Sequence, residues 1–422
     1  MKMSIILYEC KKAFTSPILI SLILLFAAFN IFTIISSSDH KEELKIVNDI
    51  VDTYGLKITE ESLARYERDL QDDLVELNII TVAHRTKEYE SVLQFFDELK
   101  FENHNLYSEK EWDSFGQLQL KEMYFTMAKS IDEEYATIDI QKIAEYEIKR
   151  FGLTGPAAES VKSEYENFSI RFEEMKQNGE HKEWFFAGKA HRMHSLLFKS
   201  TFRQLVMESM ILIVLATALI TNFEFENRTQ FITYATTRGR RLMTDKLIAS
   251  LLATTAIVGF LMMITLAMFF WIFDYSHVWK SSINSAFTWE YNFPNVTWWN
   301  MSFITFLICI SLLVYMCMIL FSVTTFAISV FTKNSYVTFI LFATFFIIAY
   351  MMPSFIPTSS RVMLAVGYNL SSIVLNPHVA FMGTSGLMMF KNYEWMTVVV
   401  WTGLALVSCF ISLRLFTKEE IK

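Results

Sequence analysis

Residues 301–352 read MSFITFLICISLLVYMCMILFSVTTFAISVFT, then KN, then SYVTFILFATFFIIAYMM. Neither apolar run contains a charged residue, and an α-helix needs roughly 20 such residues to cross a bilayer. Lys333 and Asn334 leave only a minimal turn between the two runs, so they should form a helical hairpin. The first run is long enough to project beyond the hydrocarbon. This hairpin predicts an integral membrane protein.

The rest of the chain carries the same signal. Hydrophobic residues make up 53% of the 422 positions, and the mean hydropathy is +0.31. Such a composition is typical of polytopic membrane proteins. Scanning for apolar runs of helical length predicts an all-α chain with six transmembrane helices, at residues 17–36, 204–223, 248–273, 301–332, 335–352 and 396–416.

The distribution of Lys and Arg predicts the orientation, because these residues accumulate in short cytoplasmic loops. If the N-terminus is inside, twelve of them are cytoplasmic: Lys2, Lys11, Lys12, Arg228, Arg238, Arg240, Arg241, Lys246, Lys333, Arg414, Lys418 and Lys422. Only Lys280, Arg361 and Lys391 fall in short outer loops. We therefore expect both termini in the cytoplasm of a bacterial cell. The first span is too long for a cleaved signal peptide and should remain as an anchor.

A long soluble insert separates the first two spans. Residues 39–203 carry 34 acidic and 22 basic side chains, a net charge of −12. Apolar residues recur there every three or four positions, and Ser108 with Glu111 forms a capping-box pattern. The sequence predicts an extracellular helical domain, 39–203, between a first unit of 1–38 and a last unit of 204–422. The aromatic and basic stretch from Trp184 to Arg203 predicts a helix that rests on the outer membrane interface. Its acidity is most simply a solvated surface; a face that binds cationic peptides is the alternative.

The chain lacks the motifs of common enzymes. It has no GxxxxGK[ST] phosphate-binding loop, no HExxH and no GxSxG. His191 and His194 are spaced for one helix face, but no Cys or carboxylate set joins them, so we expect no metal site. The four cysteines lie outside the insert and predict no disulfide framework. We expect no catalytic residue and no cofactor bound by this chain.

Glu208 is the one carboxylate placed well inside a predicted span. Ionisable groups in a membrane are costly and often functional, which makes Glu208 a possible gate; a contact with headgroups or with Arg203 is the simpler interpretation. A proton or sodium pathway normally uses several such groups. Flexible Met pairs, at 262–263, 351–352 and 388–389, suit varied apolar ligands. The interior therefore favours an amphipathic or hydrophobic cargo, such as a peptide, an antibiotic or a lipid-like molecule, over an ion.

Two cytoplasmic segments suggest a docking surface for a partner. Residues 223–247 read FEFENRTQFITYATTRGRRLMTDKL, a basic segment too short to fold alone, in which we expect a helix from about Arg228 to Thr236 that stops at Gly239. Residues 1–15 form an amphipathic interfacial helix that leads into the first span. Apolar anchors usually dominate a contact, so we expect Phe231 and Tyr234 to matter more than any single arginine.

With these segments the chain resembles the permeases of ABC-2 (type V) exporters. The resemblance covers the membrane half, about 60% of the chain, and rests on four motifs in order: Tyr8-Glu-Cys-Lys-Lys12, Glu226-Asn-Arg-Thr229, Thr236-Thr-Arg-Gly-Arg-Arg241 and Phe416-Thr-Lys-Glu-Glu420. The six spans fit as well. Only some relatives carry a large insert between spans one and two, and relatives often have Gly where this chain has Arg228.

The resemblance implies a permease subunit of an ABC exporter in the plasma membrane. Cytoplasmic ATPase subunits, which carry the ATP and Mg²⁺, would drive it, and a second permease copy or paralogue would complete the pathway. Antimicrobial peptides are one possible cargo class; membrane lipids surround the protein, and no nucleic acid is expected. The residues that would couple to the ATPase are Glu9, Lys11, Lys12, Glu226, Arg228, Thr229, Phe231, Tyr234, Arg238, Arg240, Arg241 and Lys246.

Two other function classes compete with this hypothesis. In a membrane sensor or scaffold, the insert would bind a ligand and signal through the basic loop; the size and acidity of the insert favour that hypothesis. Six spans are five more than an anchor needs, which disfavours it. An intramembrane enzyme is a third possibility, and the missing motifs weigh against it.

Overall fold

A computed structural model describes residues 2–38, 41–85, 87–99, 101–187, 195–235, 239–288, 294, 296–384 and 386–418. In these ranges the chain is helical, and three isolated bridges are the only strand-like pairings. The α-helices there are, in order, α1 Lys2–Phe14, α2 Pro17–Ser36, α3 Lys41–Tyr54, α4 Glu60–Arg85, α5 Val92–Asp97, α6 Glu109–Thr137, α7 Ile140–Arg150, α8 Gly155–Asn178, α9 Phe202–Glu226, α10 Gln230–Tyr234, α11 Leu242–Ile272, α12 Phe303–Thr332, α13 Ser335–Met351, α14 Arg361–Gly367, α15 Leu370–Leu375 and α16 Tyr393–Lys418.

All six predicted spans are confirmed as helices long and apolar enough to cross a membrane: α2, α9, α11, α12, α13 and α16. The chain is therefore a multi-pass membrane protein. The hairpin between α12 and α13 forms as expected, because Lys333 ends α12 in the left-handed region (φ 54°) and the Asn334 side chain caps α13 by accepting from the Val337 amide at 3.0 Å.

Helix α9 occupies the centre of the bundle. It packs against α1, α2, α11, α12 and α13. In its most apolar stretch 72% is buried, whereas the corresponding share in α2, α13 and α16 is 22%. The peripheral helices therefore present most of their apolar side chains outwards, as lipid-facing helices do. The end of the bundle that carries residues 227–241 is called the loop end below, and the opposite end is called the insert end.

Helices α3 to α8 form the insert, and the helical prediction is confirmed there. Ser108 and Glu111 make the predicted capping box, with the Ser108 amide donating to the Glu111 carboxylate at 2.7 Å. Helix α8 ends at Gly179, which is in the left-handed region (φ 70°) that favours glycine. A compact apolar cluster between α4, α5 and α6 is centred on Leu74, Phe95 and Phe115, so the far part of the insert has its own core.

The near part of the insert shares its core with the loop after α11. Arg171 on α8 is paired in a fork with Glu180 at 2.9 and 2.6 Å, and it also donates to the carbonyl of Thr297 at 3.3 Å. Asn284 donates to the same Glu180 carboxylate at 2.6 Å and accepts from the Thr297 amide at 2.7 Å. This buried network holds Asn284 and Thr297 against the insert, because each of its polar groups would be costly if left unpaired.

The aromatic stretch that begins at Trp184 differs from the sequence prediction. A helix resting on the membrane interface is expected there, yet Trp184, Phe185 and Phe186 have no helical structure and are fully buried. Trp184 packs against Phe287, with ring centroids 5.4 Å apart. A run of aromatic side chains is compatible both with a membrane interface and with a protein core. Here these side chains are buried in the core that the insert forms with the loop after α11.

Candidate functional site

The loop between α9 and α11 is built around a very short helix. Arg228 follows α9 with φ 56°, Thr229 is the N-cap, and α10 covers only five residues, from Gln230 to Tyr234. The predicted helix, from about Arg228 to Thr236, is therefore too long at its start, because the left-handed Arg228 breaks the helical path. Thr236, Thr237 and Arg238 lie outside the described residues. Helix α10 already ends at Tyr234, before the predicted stop at Gly239, which has φ 47° and opens a single turn before α11.

The two apolar anchors predicted in this loop have different environments. Phe231 is 55% exposed, whereas Tyr234 is 7% exposed and packs against Phe225 and Phe416 at ring-centroid distances of 5.7 and 5.3 Å. Tyr234 therefore fixes α10 to the ends of α9 and α16, which corrects its interpretation as a surface anchor. Ile232, which the sequence analysis did not single out, is 77% exposed. The exposed apolar pair in the loop is thus Phe231 and Ile232.

Four buried charges lie beneath this loop and join α1, α9 and α11. Lys12 donates to Glu9 at 2.6 Å and to Glu224 at 2.5 Å, and Lys246 pairs with Glu224 and lies 3.7 Å from Glu9. Glu9 and Glu224 are 3% exposed, and Lys246 is fully buried. Two negative and two positive charges balance, which is the condition under which buried ions are tolerated. These four residues are called the charge cluster below.

Further hydrogen bonds fix the charge cluster in place. Lys246 also donates to the carbonyls of Ile220 and Thr221, at 2.6 and 3.1 Å. On α1, the Cys10 thiol donates to the Ala249 carbonyl at 3.4 Å, and burial, with Glu9 beside it, raises the pKa of that thiol. The first helix is thus attached to both helices that flank the loop.

Eight of the twelve predicted coupling residues consequently fall into two groups. Glu9, Lys12 and Lys246 lie under the surface and hold the base of the loop, so they do not themselves present a contact surface. Lys11, Arg228, Thr229, Phe231 and Arg241 are exposed. Glu224 completes the cluster, although the sequence analysis did not single it out; a carboxylate at the end of an apolar run was the available signal.

Two other predicted residues make contacts that stabilise the loop end. A Glu226 carboxylate oxygen accepts from the Ser335 amide at 2.6 Å, at the first turn of α13. Arg240 donates to the carbonyl of Thr417 near the end of α16. The chain's first and last helices therefore meet the loop at one end of the bundle, and the basic segments that the sequence predicts on one side of the membrane lie together.

Glu208 is buried within the bundle near its insert end, and its partners are polar and uncharged. It accepts from Asn30 at 2.7 Å and from Gln204 at 3.4 Å. Arg203, named from the sequence as a possible partner, is exposed. No group of three or more metal-ligating side chains (His, Cys, Asp or Glu) occurs in the described part of the chain.

Comparison of the chain with family models, with curated proteins and with solved structures gives no match. A functional proposal for this chain therefore rests on the arrangement of its residues. At the loop end it offers an apolar pair on a short helix, basic side chains around it, and a buried charge cluster that fixes the helix to the bundle.

Proposed function

We propose that this chain is the transmembrane permease subunit of an ABC exporter. The observation that carries the proposal is the pairing of exposed Phe231 and Ile232 with the charge cluster directly beneath them. An exposed apolar pair on a membrane protein's polar loop favours a protein contact. A rigid base under that contact would pass a displacement to the helices instead of absorbing it locally.

The proposed coupling runs from the loop into the bundle. An ATPase that closes on ATP would push α10, and the charge cluster would carry that movement to α1, α9 and α11 together. Because α9 is the central helix, a shift at its loop end changes its packing against every neighbouring span. The conformational shift can be no larger than the difference in ATPase binding free energy between the two states.

The proposed cargo is amphipathic or hydrophobic: a peptide, an antibiotic or a lipid-like molecule. The described spans contain few charges, and apart from Glu208 and Glu394 the buried charges within them lie at the loop end. In this proposal the termini and the loop are cytoplasmic, the insert is extracellular, and a second copy or a paralogue completes the pathway. The ATP and Mg²⁺ belong to the partner ATPase.

A photo-crosslinking experiment tests this proposal. A photoreactive phenylalanine analogue replaces Ile232 in the full chain, and the adduct formed in host membranes is identified by mass spectrometry. We expect an adduct with a protein that carries a nucleotide-binding phosphate loop. The matched control places the same analogue at Ile79 on α4, which is 68% exposed in the insert, and should not give that adduct.

The anchor pair can then be separated from the structural tyrosine. Phe231→Ala with Ile232→Ala should leave the unfolding midpoint close to that of the wild type while abolishing ATPase stimulation by the permease. Tyr234→Ala should instead lower the midpoint, because removing a buried aromatic ring costs about 3–5 kcal/mol. Normal stimulation by the double variant would overturn the proposed coupling surface.

The alternative function is a membrane sensor or scaffold, and one observation favours it. The insert shares the Arg171–Glu180–Asn284 network with the loop after α11, so a ligand bound to the insert could shift the bundle. Crosslinks from position 232 to a kinase instead of an ATPase would favour this alternative.

A further inference from the structure

A polar ring joins three spans near the insert end of the bundle. Asn30 on α2 donates to Glu208 at 2.7 Å and to Thr265 on α11 at 3.1 Å. Gln204, one turn before Glu208 on α9, donates to the Asn30 side-chain oxygen at 2.7 Å and to Glu208 at 3.4 Å. Asn30 and Thr265 are at most 1% exposed. The sequence places these residues up to 235 positions apart, and only the packing of α2, α9 and α11 brings them together.

The ring has one negative charge and no basic partner. In the part of the chain that the structure describes, no Lys, Arg or His nitrogen forms an ion pair with Glu208, whereas Glu224 at the other end of α9 pairs with two lysines. Amide N–H groups reduce the cost of a buried carboxylate but leave its charge in place. Because an uncompensated charge within a membrane span is costly, a bound cation would stabilise this site.

The donor set suits a small hard cation. Glu208 supplies two oxygens, and Asn30, Gln204 and Thr265 supply one each. Rotating each amide by half a turn exchanges its nitrogen and oxygen without moving the rest of the side chain. The Asn30–Glu208, Asn30–Thr265 and Gln204–Glu208 separations of 2.7, 3.1 and 3.4 Å then become oxygen–oxygen distances. The Asn30 nitrogen then donates to the Gln204 oxygen across the remaining 2.7 Å. Adjacent oxygen ligands of a coordinated cation lie about 3 Å apart.

The charge of the ring limits which cation it can hold. One carboxylate balances one positive charge, and the other donors are neutral, so a divalent ion would leave an excess charge in the span. Oxygen donors without nitrogen or sulfur ligands favour hard cations over transition metals. We propose that Glu208, Asn30, Gln204 and Thr265 form a binding site for one sodium ion, which ties α2, α9 and α11 together.

Access to the site is from the insert end. Gln204 is half-buried and lies at the start of α9, one turn nearer the insert end than Glu208, while Asn30 and Thr265 are buried. The proposed sodium site does not require coupling to an ATPase, because only the four side chains of the ring form it.

Equilibrium binding of ²²Na⁺ to the purified full chain tests the proposal. N-methyl-D-glucamine chloride replaces sodium chloride so that the ionic strength stays constant. We expect saturable binding of about one ion per chain, with a matching rise of the unfolding midpoint, since a ligand that binds only the native state stabilises it. Glu208→Gln keeps the size and most hydrogen bonds of the side chain, so it should fold and lose the binding. Thr265→Val should weaken binding at least tenfold.

Glu394→Gln provides the matched control. Glu394 is also buried at the start of a span, but it accepts from the backbone amide of Phe381 at 2.5 Å instead of joining a ring of side chains. This variant should bind sodium like the wild type. The proposal is wrong if the wild type shows no saturable binding, if Glu208→Gln binds as well as the wild type, or if the midpoint responds to pH and not to sodium.

Discussion

Removing Lys246 from the charge cluster should be among the most destabilising single changes at the loop end. Lys246 is fully buried, contacts Glu224, lies 3.7 Å from Glu9 and donates to two backbone carbonyls. Lys246→Met keeps most of the apolar volume, but it leaves two carboxylates to share Lys12. At 3.7 Å and an effective dielectric constant of 20, one lost attraction is worth about 4 kcal/mol. Measured losses for one partner of a buried pair are about 3–5 kcal/mol.

The free energy of unfolding in mixed micelles measures this loss. Lys11→Met is the matched control, because Lys11 lies next to Lys12 of the charge cluster on α1 but is exposed, and the change there should cost less than about 0.5 kcal/mol. A second variant tests the charge balance itself. Lys246→Met combined with Glu224→Gln leaves the Glu9–Lys12 pair at 2.6 Å intact and neutral.

The double variant should therefore be less destabilised than the sum of its single changes, by about 1–3 kcal/mol. If Lys246→Met unfolds like Lys11→Met, the charge cluster does not hold α1, α9 and α11 together. Additive effects in the double variant would show that charge balance is not the reason for its stability.

Three more outcomes can be measured. Gly383→Ala should destabilise the protein by about 1–3 kcal/mol, because an added Cβ would lie 1.9 Å from the ring of Phe168; Gly403→Ala, with open space around it, should not. Burial lowers the pKa of His181, and Asp132 opposes this shift. The folded state therefore holds His181 neutral, and the stability present above the unfolded pKa of about 6.5 is lost as the pH falls below it. Acid should consequently lower the unfolding midpoint less in His181→Gln than in the wild type. An impermeant maleimide applied to intact cells should label a cysteine placed at Glu133 and miss one at Ala235; the reverse pattern would invert the orientation.

Local pattern was sufficient to predict most of the helices. The spans follow from apolar runs that are long enough to cross a bilayer as helices. The predicted first span coincides with α2, Pro17–Ser36. The turn at Lys333 and Asn334 and the capping box at Ser108 are confirmed because their partners lie within four positions along the chain. Such features depend on backbone geometry and nearest neighbours, which the sequence states directly.

Exposure within the loop could not be predicted in the same way. Phe231 and Tyr234 are three residues apart on a five-residue helix, and nothing local distinguishes them. Tyr234 is buried because α16, almost 200 positions away in the chain, brings Phe416 to within 5.3 Å of it. The burial of Trp184 could not be predicted for the same reason, because its partner Phe287 lies in a loop that is distant in the sequence.

The sequence alone therefore determined the class of protein, the number and approximate positions of its spans, and the helical insert between the first two. The bounds differ in places: α11 begins at Leu242 and not at residue 248. Only the tertiary structure decided which side chain contacts each buried charge: Lys12 contacts Glu224, Lys246 lies near Glu9, and Asn30 donates to Glu208. The physical reason is that a buried charge must find its counter-charge or its hydrogen bonds in space. The neighbours that supply them come from whichever helices pack against it, and apolar periodicity shows which face of a helix is buried but not which helix covers it.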